Sequence, residues 1–583
     1  MASNVTFPLD TEYYEALKDI PPIEELAREF YAEYDVVPAQ SWLDQLLGEY
    51  QVVVVSGGFQ GDESKGKTVL SILNDDRVTY AGRVHSGQNA GHTGYLNGRK
   101  IVLHGVPMGV LSGKRSFIGP ECDIDPLTLI EEELRPLKEA GVDADLVVGN
   151  FHVVTPYHKL QDLIKNHSNN ASTLRGQAPV HASKAWKSSI RLDDLFGPED
   201  DLAEKINEDM LMYRGMLKEF NITEFELLEM CLEINKTRGT KIPDHVIEFL
   251  ETNDKTNYLV DLYKGKVVNN PDLPERGDPI HELQERLERG EHVAIELSQG
   301  FYLSNKVETF FRSTTSADVT AQGAIAAAGY NPQKYNTCVI TVLKIPPSRV
   351  GKGANPVGLV PQTFFSENNI HSLDGLEGVC EDFDAIQRQF FDSIGPNGIL
   401  EQTIYTDTDG KQYHIGAALA ISSARQHDEK GATTQKPRVL GIFDCVAQHY
   451  VNQRQGPLLS VSCLDRGDEY EKMALVVGYA VHVPAGGIVD SKGTLYKTGD
   501  VIRIGDPMPN ENVLKFCRPI IKVMDGWKDT PIAADYRSPE DPLPQTAQNS
   551  MGAIADLTGS EILSVGNGPE TDNMIYVRRK ETI

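Results

Sequence analysis

Apolar residues in this chain occur in two patterns that alternate along the sequence. Short continuous runs rich in Val and Ile are typical of strands buried on both faces of a sheet. The uninterrupted run of this kind is at residues 52–55, and further strand patterns occupy 116–118, 145–148, 292–300, 337–345 and 472–483. Helical apolar spacing begins near residue 68 and recurs over 127–140. This alternation predicts an α/β protein.

Polar patterning sets two other regions apart. Residues 200–290 are highly charged and read as mostly helical, and Thr223 with Glu226 forms a capping-box pattern ahead of an apolar helix. Residues 1–47 read as an N-terminal extension, because their helical spacing is broken by prolines. We expect 1–47 to lie outside the main catalytic unit.

A segment of mixed character interrupts the second half of the chain. Residues 360–425 read as an insertion, within which "YTDTDGKQYHI" predicts a hairpin with an Asp-Gly turn. The sequence shows no internal repeat and no low-complexity tract.

Composition and charge narrow the functional class. The formal net charge of −28 over 583 residues disfavours a nucleic-acid-binding surface, and anionic small substrates would need a locally basic pocket. None of the seven cysteines has C-x-x-C spacing, so neither a structural zinc site nor a disulfide framework is expected. No apolar run approaches ~18 residues and the acidic N-terminus lacks a signal-peptide core, so we expect a cytoplasmic protein without a membrane span.

The strand at 52–55 is followed by a loop with phosphate-binding spacing. Residues 61–68 read G-D-E-S-K-G-K-T, a G-x-x-x-x-G-K-T pattern between a strand and a helix. Backbone N–H groups, Lys65 and Lys67 are suited to phosphate oxygens. Asp62 would repel such a ligand, so it is expected either to bind Mg²⁺ or to take a proton from a nearby nucleophile. For Glu63 two interpretations remain open: it is either a turn residue that faces water or a residue of the site.

A second polar stretch, "RVHSGQNAGHTGYLNGRKIVLHGVPMGVL", follows at 83–111. Within it Asn89 to Thr93 read N-A-G-H-T, and small and polar residues between two apolar segments are typical of a site loop. His92 is therefore a candidate functional residue.

These blocks together resemble the adenylosuccinate synthetase family. "GDESKGK" and "NAGHT" are similar to that family's G-D-E-G-K-G-K and N-A-G-H-T loops, the latter leading into a leucine-histidine-x-x-proline strand. Later blocks of this chain match family segments in the same order. "TPYHKLQD" matches a proline-tyrosine-histidine segment, "STLRGQAP" (from 172) matches T-T-G-R-G-I-G-P, "ELSQG" matches E-G-A-Q-G, and "TSADVTAQG" matches T-S-S-N-T-T-A-G-G. "GATTQKPR" matches G-A-T-T-G-R-x-R, "SCLDR" matches T-K-L-D, and "SVGNGP" matches V-G-x-G-P.

The resemblance implies a fold, an activity and partners. The fold is α/β with a large, mainly parallel central sheet, a phosphate-loop-like nucleotide site, flanking helices and helical subdomains. Residues 48–583 would form the catalytic domain of a cytoplasmic homodimer that joins L-aspartate to C6 of IMP with hydrolysis of GTP and one Mg²⁺ per subunit. The extra length is similar to long forms found in protists such as kinetoplastids.

The resemblance also implies catalytic roles. Asp62 would be the base and a Mg²⁺ ligand, and the Gly91 carbonyl a second ligand of that ion. Protonated His92 would donate to phosphate oxygens. Gln299 would stabilise the purine O6, and Lys65 the γ-phosphoryl group or O6.

Two groups of residues are implied for IMP and aspartate. For IMP they are Asn89, Thr173, Thr315 and Lys187, where Lys187 replaces an arginine that reaches across a dimer interface; a solvated helix lysine is the alternative. For aspartate they are Thr433, Thr434, Lys436 and Arg438. Lys436 replaces an arginine, whereas Arg438 keeps the fork that grips a carboxylate.

The resemblance is weakest at the nucleotide base. The residues implied for GTP are Gly61, Ser64, Gly66, Lys67, Cys463, Asp465, Ser564 and Gly568. Asp465 favours guanine, but Cys463 replaces a lysine whose stem covers the base. Ser64 replaces a glycine and tolerates positive φ poorly.

Two alternatives remain open from the sequence. One is a phosphate-loop NTPase switch, which would give "NAGHT" and "ELSQG" no role. The other is a diverged relative that uses another 6-oxopurine nucleotide or ATP.

Overall fold

A twelve-stranded sheet runs through the computed structural model, which describes residues 33–96, 99–166, 173–237, 241–349, 353–359, 373, 376, 378–401, 403–431 and 437–580. The strands in chain order are β1 Tyr34–Val37, β2 Val52–Gly57, β3 Val78–Gly87, β4 His92–Leu96, β5 Arg99–Leu103, β6 Arg115–Ile124, β7 Leu146–Val148, β8 His152–Val153, β9 Glu275–Arg276, β10 His292–Gly300, β11 Thr337–Lys344, β12 Ser348–Arg349, β13 Ile404–Thr406, β14 Gln412–His414, β15 Val439–Leu440, β16 Phe443–Asp444, β17 Leu458–Ser462, β18 Lys472–Val481, β19 Ile488–Val489, β20 Leu495–Tyr496, β21 Val501–Arg503, β22 Cys517–Asp525, β23 Glu561–Gly566 and β24 Met574–Arg579.

The central sheet is mainly parallel, as predicted. Its order is β1-β24-β23-β17-β11-β2-β10-β3-β6-β7-β9, with β8 beside β6. Only the pairs β1/β24 and β23/β24 are antiparallel within this sheet. Strand β2 lies between β10 and β11, and all six of its residues are buried, which explains its unbroken apolar run.

Helices cover the sheet and extend beyond it. They are α1 Ala39–Glu49, α2 Lys65–Leu73, α3 Pro126–Thr128, α4 Arg135–Glu139, α5 Pro156–Asn166, α6 Gln177–Trp186, α7 Glu199–Asp209, α8 Leu211–Glu219, α9 Glu224–Thr237, α10 Asp244–Glu251, α11 Lys255–Tyr263, α12 Pro279–Glu288, α13 Ala321–Ala328, α14 Phe383–Asp392, α15 Ile415–Gln426, α16 Cys445–Gln455, α17 Glu511–Leu514 and α18 Gln545–Thr558. The helix predicted over 127–140 contains a π-helical segment, Leu129–Leu134, between α3 and α4.

The predicted helical region at 200–290 contains α7 to α12 and the short strand β9. Its capping box is present: the Glu226 carboxylate accepts from the Thr223 N–H at 2.8 Å, and the Thr223 hydroxyl accepts from the Glu226 N–H at 3.2 Å. The predicted hairpin is β13 and β14, with Tyr405 opposite Tyr413. Much of the start of the predicted 360–425 insertion lies outside the described residues, and its described part contains α14, the hairpin and α15.

The described end of the predicted N-terminal extension is part of the main sheet. Strand β1 pairs with β24, and the Trp42 ring on α1 lies 4.7 Å from the Tyr576 ring. Pro38 precedes α1 as its N-cap and does not interrupt it. Residues 1–32 lie outside the described residues, and the predicted boundary at 47 stays a prediction. In the described part of the chain, no helix has the length and apolar character needed to cross a bilayer.

Candidate active site

A cavity of about 990 Å³ opens at the carboxyl ends of the parallel strands, the edge where open α/β sheets bind ligands. Among its lining residues, nine are Lys or Arg and five are Asp or Glu, so the cavity is locally basic in an acidic protein. The sequence-predicted residues at its wall are Gly61, Asp62, Ser64, Lys65, Gly66, Lys67, Asn89, Gly91, His92, Thr173, Gln299, Thr315, Arg438, Cys463 and Gly568.

The glycine loop after β2 has an unusual backbone. Gly61, Asp62 and Ser64 have φ of 94°, 59° and 65°, in the left-handed region that favours glycine. Ser64 therefore adopts the conformation that makes serine a poor replacement there. It is also the N-cap of α2 but makes no side-chain cap, which leaves the helix N-terminus available to an anion.

Asp62 pairs with the predicted aspartate-binding arginine. Its carboxylate forms an ion pair with the Arg438 guanidinium, and both side chains remain partly accessible from the cavity. The Arg438 Nε is buried and has no hydrogen-bond partner among the described residues. The predicted base, Asp62, and the arginine predicted to bind the substrate carboxylate, Arg438, thus neutralise each other.

Glu63 is not a water-facing turn residue, because its side chain is only 2% exposed. Its carboxylate accepts from the Gly61 N–H at 2.6 Å and from Lys65 Nζ at 2.9 Å. A Cβ at Gly57 or Gly300 would overlap this carboxylate, so both glycines make room for it. Glu63 holds the loop and Lys65 in place.

His92 is held by a buried carboxylate. Its Nδ1 contacts Glu296, which also accepts from the Met108 N–H at 3.0 Å. Burial lowers the pKa of His92 well below its ordinary value, and the charges of Arg83 and Lys65 lower it further. The sequence-based prediction that His92 acts in its protonated state stays a prediction. Nε2 is buried without a partner within the described ranges.

Gln299 and Asn89 present unsatisfied carboxamides to the cavity. Gln299 Oε1 and Asn89 Oδ1 are both buried and lack partners in the described part of the chain. Gln299 has φ 60°, at the end of β10. Thr315 and Thr173 lie at the same cavity wall. These neutral groups are suited to a polar, uncharged ligand edge.

Lys67 and Cys463 lie at the end of the cavity where the sequence predicts the nucleotide. Lys67 Nζ donates to the carbonyls of Gly568 and Asn573, each at 2.6 Å. Burial lowers the pKa of Lys67 to about 8. Cys463 Sγ lies 3.7 Å from Ser64 Oγ, so the two residues that replace the family's lysine and glycine touch one another.

Two residues expected at the nucleotide base, Ser564 and Asp465, are not among the residues that line the cavity. Ser564 is fully buried in β23, where its hydroxyl pairs with that of Ser460 at 2.8 Å, because the neighbouring strand β17 offers a closer partner than the cavity. Burial raises the pKa of Asp465, and its Oδ1 is unpaired among the residues described. The Asp465 carboxyl group can thus accept a further hydrogen bond at Oδ1.

A buried charge cluster was missed by sequence reasoning. Lys344 Nζ donates to both oxygens of Glu429 at 3.0 Å, and Arg466 pairs with the same carboxylate. Burial alone would raise the pKa of Glu429, but the two cations hold it at about 2. Arg466 stands in the quoted "SCLDR" block and Glu429 just before "GATTQKPR", whereas Lys344 ends a strand with no local signal.

Four further predicted residues, from the IMP and aspartate groups, are not placed at this cavity. Lys187 follows α6 with φ 65° and is exposed, so the role predicted for it across a dimer interface stays a prediction. Thr433, Thr434 and Lys436 lie outside the described residues.

The residues at the loop fit a hard divalent cation. Asp62 and Gly91 both line the cavity and offer a carboxylate and a carbonyl oxygen. The described residues include no group of three or more His, Cys, Asp or Glu able to hold a metal by themselves. A carboxylate and a carbonyl oxygen are ligands that suit Mg²⁺, which takes one or two protein ligands and completes its shell with water and phosphate oxygens.

Comparison with known proteins gives a consistent result. The family model described as adenylosuccinate synthetase matches residues 54–261 and 272–575. Adenylosuccinate synthetase of Leishmania braziliensis is 45% identical, over 97% of this chain and 82% of that protein. Adenylosuccinate synthetase 1 of Trypanosoma cruzi is 44% identical (97% and 94%), and the Trypanosoma brucei brucei protein is 42% identical (97% and 96%).

A solved structure shares the fold. It is described as fully ligated adenylosuccinate synthetase from Plasmodium falciparum, is 21% identical, and has a TM-score of 0.60 over 90% of this chain and 99% of that one. At this identity the match shows the fold alone.

Proposed function

The chain belongs to the adenylosuccinate synthetase family, and we propose that it joins L-aspartate to C6 of IMP through a 6-phosphoryl intermediate, with cleavage of GTP to GDP and phosphate. The observation that carries the mechanism is a carboxylate, Asp62, inside a phosphate-binding loop, sharing one cavity with His92 and Gln299.

The chemistry explains why a carboxylate lies in such a loop. The C6 oxygen of a 6-oxopurine is a poor leaving group. Asp62 removes the N1 proton, which places negative charge on O6, and O6 then attacks the γ-phosphoryl group. The aspartate amine displaces the resulting phosphate from C6. A base for this reaction has to lie between the purine and the terminal phosphate.

Three side chains would stabilise the developing charge. The Gln299 carboxamide is suited to the anionic O6, and Lys65, held by Glu63, to the γ-phosphoryl oxygens. His92 lines the cavity, its Nδ1 is held by Glu296, and its Nε2 has no partner among the described residues. Phosphate charge near Nε2 would raise the His92 pKa again, so that the ring gains a proton to donate to the departing diphosphate.

Arg438 would couple aspartate binding to activation of the base. In the structure it is paired with Asp62. Arg438 suits a bidentate contact with a substrate carboxylate, and moving to that contact frees Asp62 for the purine proton. We propose this exchange as the step that delays proton abstraction until aspartate is bound.

Mg²⁺ held by Asp62 and the Gly91 carbonyl would neutralise phosphate charge. For the nucleotide, the unsatisfied Asp465 carboxylate favours guanine, whose N1 and N2 hydrogens are donors, over adenine. We further propose a cytoplasmic homodimer in which Lys187 reaches the neighbouring subunit's IMP site.

An absorbance assay tests the proposal. Wild-type protein with IMP, aspartate, GTP and Mg²⁺ should form the succinyl-purine, and Asp62→Asn should lower kcat by about 10²–10⁴-fold. Asp428→Asn is the matched control, since Asp428 lines the same cavity with φ 47° and is paired with Lys430. It should keep wild-type turnover.

Two further arms separate the alternatives. GTP cleavage without succinyl-purine would contradict the ligase mechanism and favour a nucleotide switch. Turnover with GMP in place of IMP, or with ATP in place of GTP, would assign the diverged-relative alternative.

A further inference from the structure

A third carboxamide lines the cavity beside the two already described. Gln177 is the first residue of α6 and is 7% exposed, and its side chain reaches the cavity wall. In the family segment quoted above, T-T-G-R-G-I-G-P, the corresponding residue is isoleucine. A polar group has therefore replaced an apolar one at a buried position beside the substrate cavity.

The Gln177 carboxamide is only half satisfied. Its Nε2 donates to the Asp123 carbonyl at 3.4 Å, while Oε1 is buried without a partner among the described residues. A Cβ at Gly87 would overlap the carboxamide, so the absence of a side chain at Gly87 lets Gln177 lie flat against β3. A buried, unpaired amide oxygen is costly, so its presence at a cavity wall points to a ligand donor.

The surroundings indicate what kind of donor this is. Gly176 gives α6 no side-chain cap, and Thr173 and Ala178 lie at the same wall. A helix N-terminus favours an anion, whereas the Oε1 of Gln177 needs an N–H or O–H group. A nucleoside monophosphate supplies both, through its phosphate and through its ribose hydroxyls or ring N–H.

We propose that Gln177 is a specificity-determining residue that accepts a hydrogen bond from the bound 6-oxopurine ribonucleotide. This inference rests on the proposed ligase function. It adds to Asn89, Thr173 and Thr315 a contact that the family segment's isoleucine cannot make. Gln177 strengthens binding of the nucleotide and takes no part in the chemical step.

The test is a steady-state comparison of two matched variants. Gln177→Met removes the hydrogen bond at similar length. Gln448→Met is the control, because Gln448 is also buried with its Nε2 bonded, to Asn452, and its Oε1 unpaired, but it lies on α16 and does not line the cavity. Gln177→Met should raise KM for IMP about tenfold, equivalent to about 1.4 kcal/mol, with kcat within about twofold. Gln448→Met should leave both constants unchanged.

A second substrate distinguishes the donor. If the 2′-hydroxyl is bound, Gln177→Met and wild type should have equal KM for 2′-deoxy-IMP. If Gln177 binds another donor of the nucleotide, Gln177→Met should raise the KM for IMP and the KM for 2′-deoxy-IMP by the same factor. Gln177→Asn, which keeps the amide but shortens the reach, gives a second variant should methionine prevent folding, and it too should raise KM.

An IMP KM within twofold of wild type in either folded Gln177 variant overturns the inference, since water would then satisfy Oε1. Wild-type protein that forms no succinyl-purine would contradict the proposed function itself, so the two failures are distinguishable.

Discussion

Two walls of the cavity differ in whether their side chains have partners within the protein. On the charged wall, Asp62, Glu63, Lys65, His92 and Arg438 are each paired with another protein group. On the amide wall, Asn89, Gln177 and Gln299 each have a buried oxygen with no partner in the described ranges.

The difference follows from the cost of burial. A charge that is buried without a partner loses several kcal/mol of solvation free energy, so buried ionised groups need partners within the folded protein. A neutral amide loses about 1–3 kcal/mol, a cost that a folded site can carry until a ligand arrives. When a ligand binds, the side chains of the charged wall must therefore give up protein partners for ligand groups. The carboxamides of the amide wall only have to gain a hydrogen-bond partner.

After Asp62, the largest expected effect comes from His92, whose ring contacts Glu296 on one side and lines the cavity. His92→Asn should lower kcat by about 10²–10³-fold, because it removes a preorganised donor to the phosphates. The same assay with Glu296→Gln should show a smaller loss, since the ring remains and only its carboxylate partner is neutralised. Equal kcat in wild type and His92→Asn would remove His92 from the mechanism.

Sequence patterns predicted most of the residues on the charged wall, but few of the contacts between their side chains. Buried β2 and the glycine loop have local signals, and the Thr223 capping box is read from residues three apart. The Glu296 contact with His92 joins residues 204 positions apart, so spacing could not predict it.

The amide wall was harder to predict because hydrogen-bond satisfaction depends on three-dimensional neighbours. Ser564 has a nucleotide-site motif around it, yet β17 places Ser460 against its hydroxyl. Nothing local to Gln177 reveals that the Asp123 carbonyl satisfies only one end of its amide.

Glu63→Gln tests whether the charged wall depends on internal pairs. It leaves Lys65, 5% exposed in the wild-type protein, without its carboxylate. Removing one partner of a buried pair costs about 3–5 kcal/mol, so we expect a clear fall in melting temperature by calorimetry.

The double variant Glu63→Gln/Lys65→Met separates stability from catalysis. It should recover much of the melting temperature, because no unpaired charge remains, but it should not recover turnover. A single variant as stable as wild type would show that the charged wall does not need its pairs.

The pH dependence of nucleotide binding should come from the charged side of the cavity. Burial lowers the pKa of Lys67 from its ordinary value of 10.5 to about 8 in the folded protein. GTP affinity should therefore fall as pH rises through about 8, by up to about tenfold, as Lys67 loses its charge. Lys67→Arg keeps the charge, and titration calorimetry should show a flat profile for that variant between pH 7 and 9.

Stability should change in the opposite direction over a higher range. Between about pH 8 and 10.5 the unfolded chain keeps the Lys67 proton that the folded protein has lost, so Lys67 contributes a rise in stability with pH. A GTP affinity independent of pH in the wild-type protein would contradict a titrating Lys67 at the phosphate site.

The smallest expected effect is at Cys463 and Ser64, whose side chains touch at 3.7 Å. Cys463→Lys with Ser64→Gly restores both family residues and removes the left-handed strain at Ser64. A lysine stem over the base and a relaxed loop should lower KM for GTP about threefold, about 0.7 kcal/mol at 1.4 kcal/mol per tenfold. KM for IMP should stay constant, because the amide wall is untouched. A change in the IMP constant instead would mean that the two walls are coupled through the loop, and that the partner exchange proposed for Asp62 extends to the purine side.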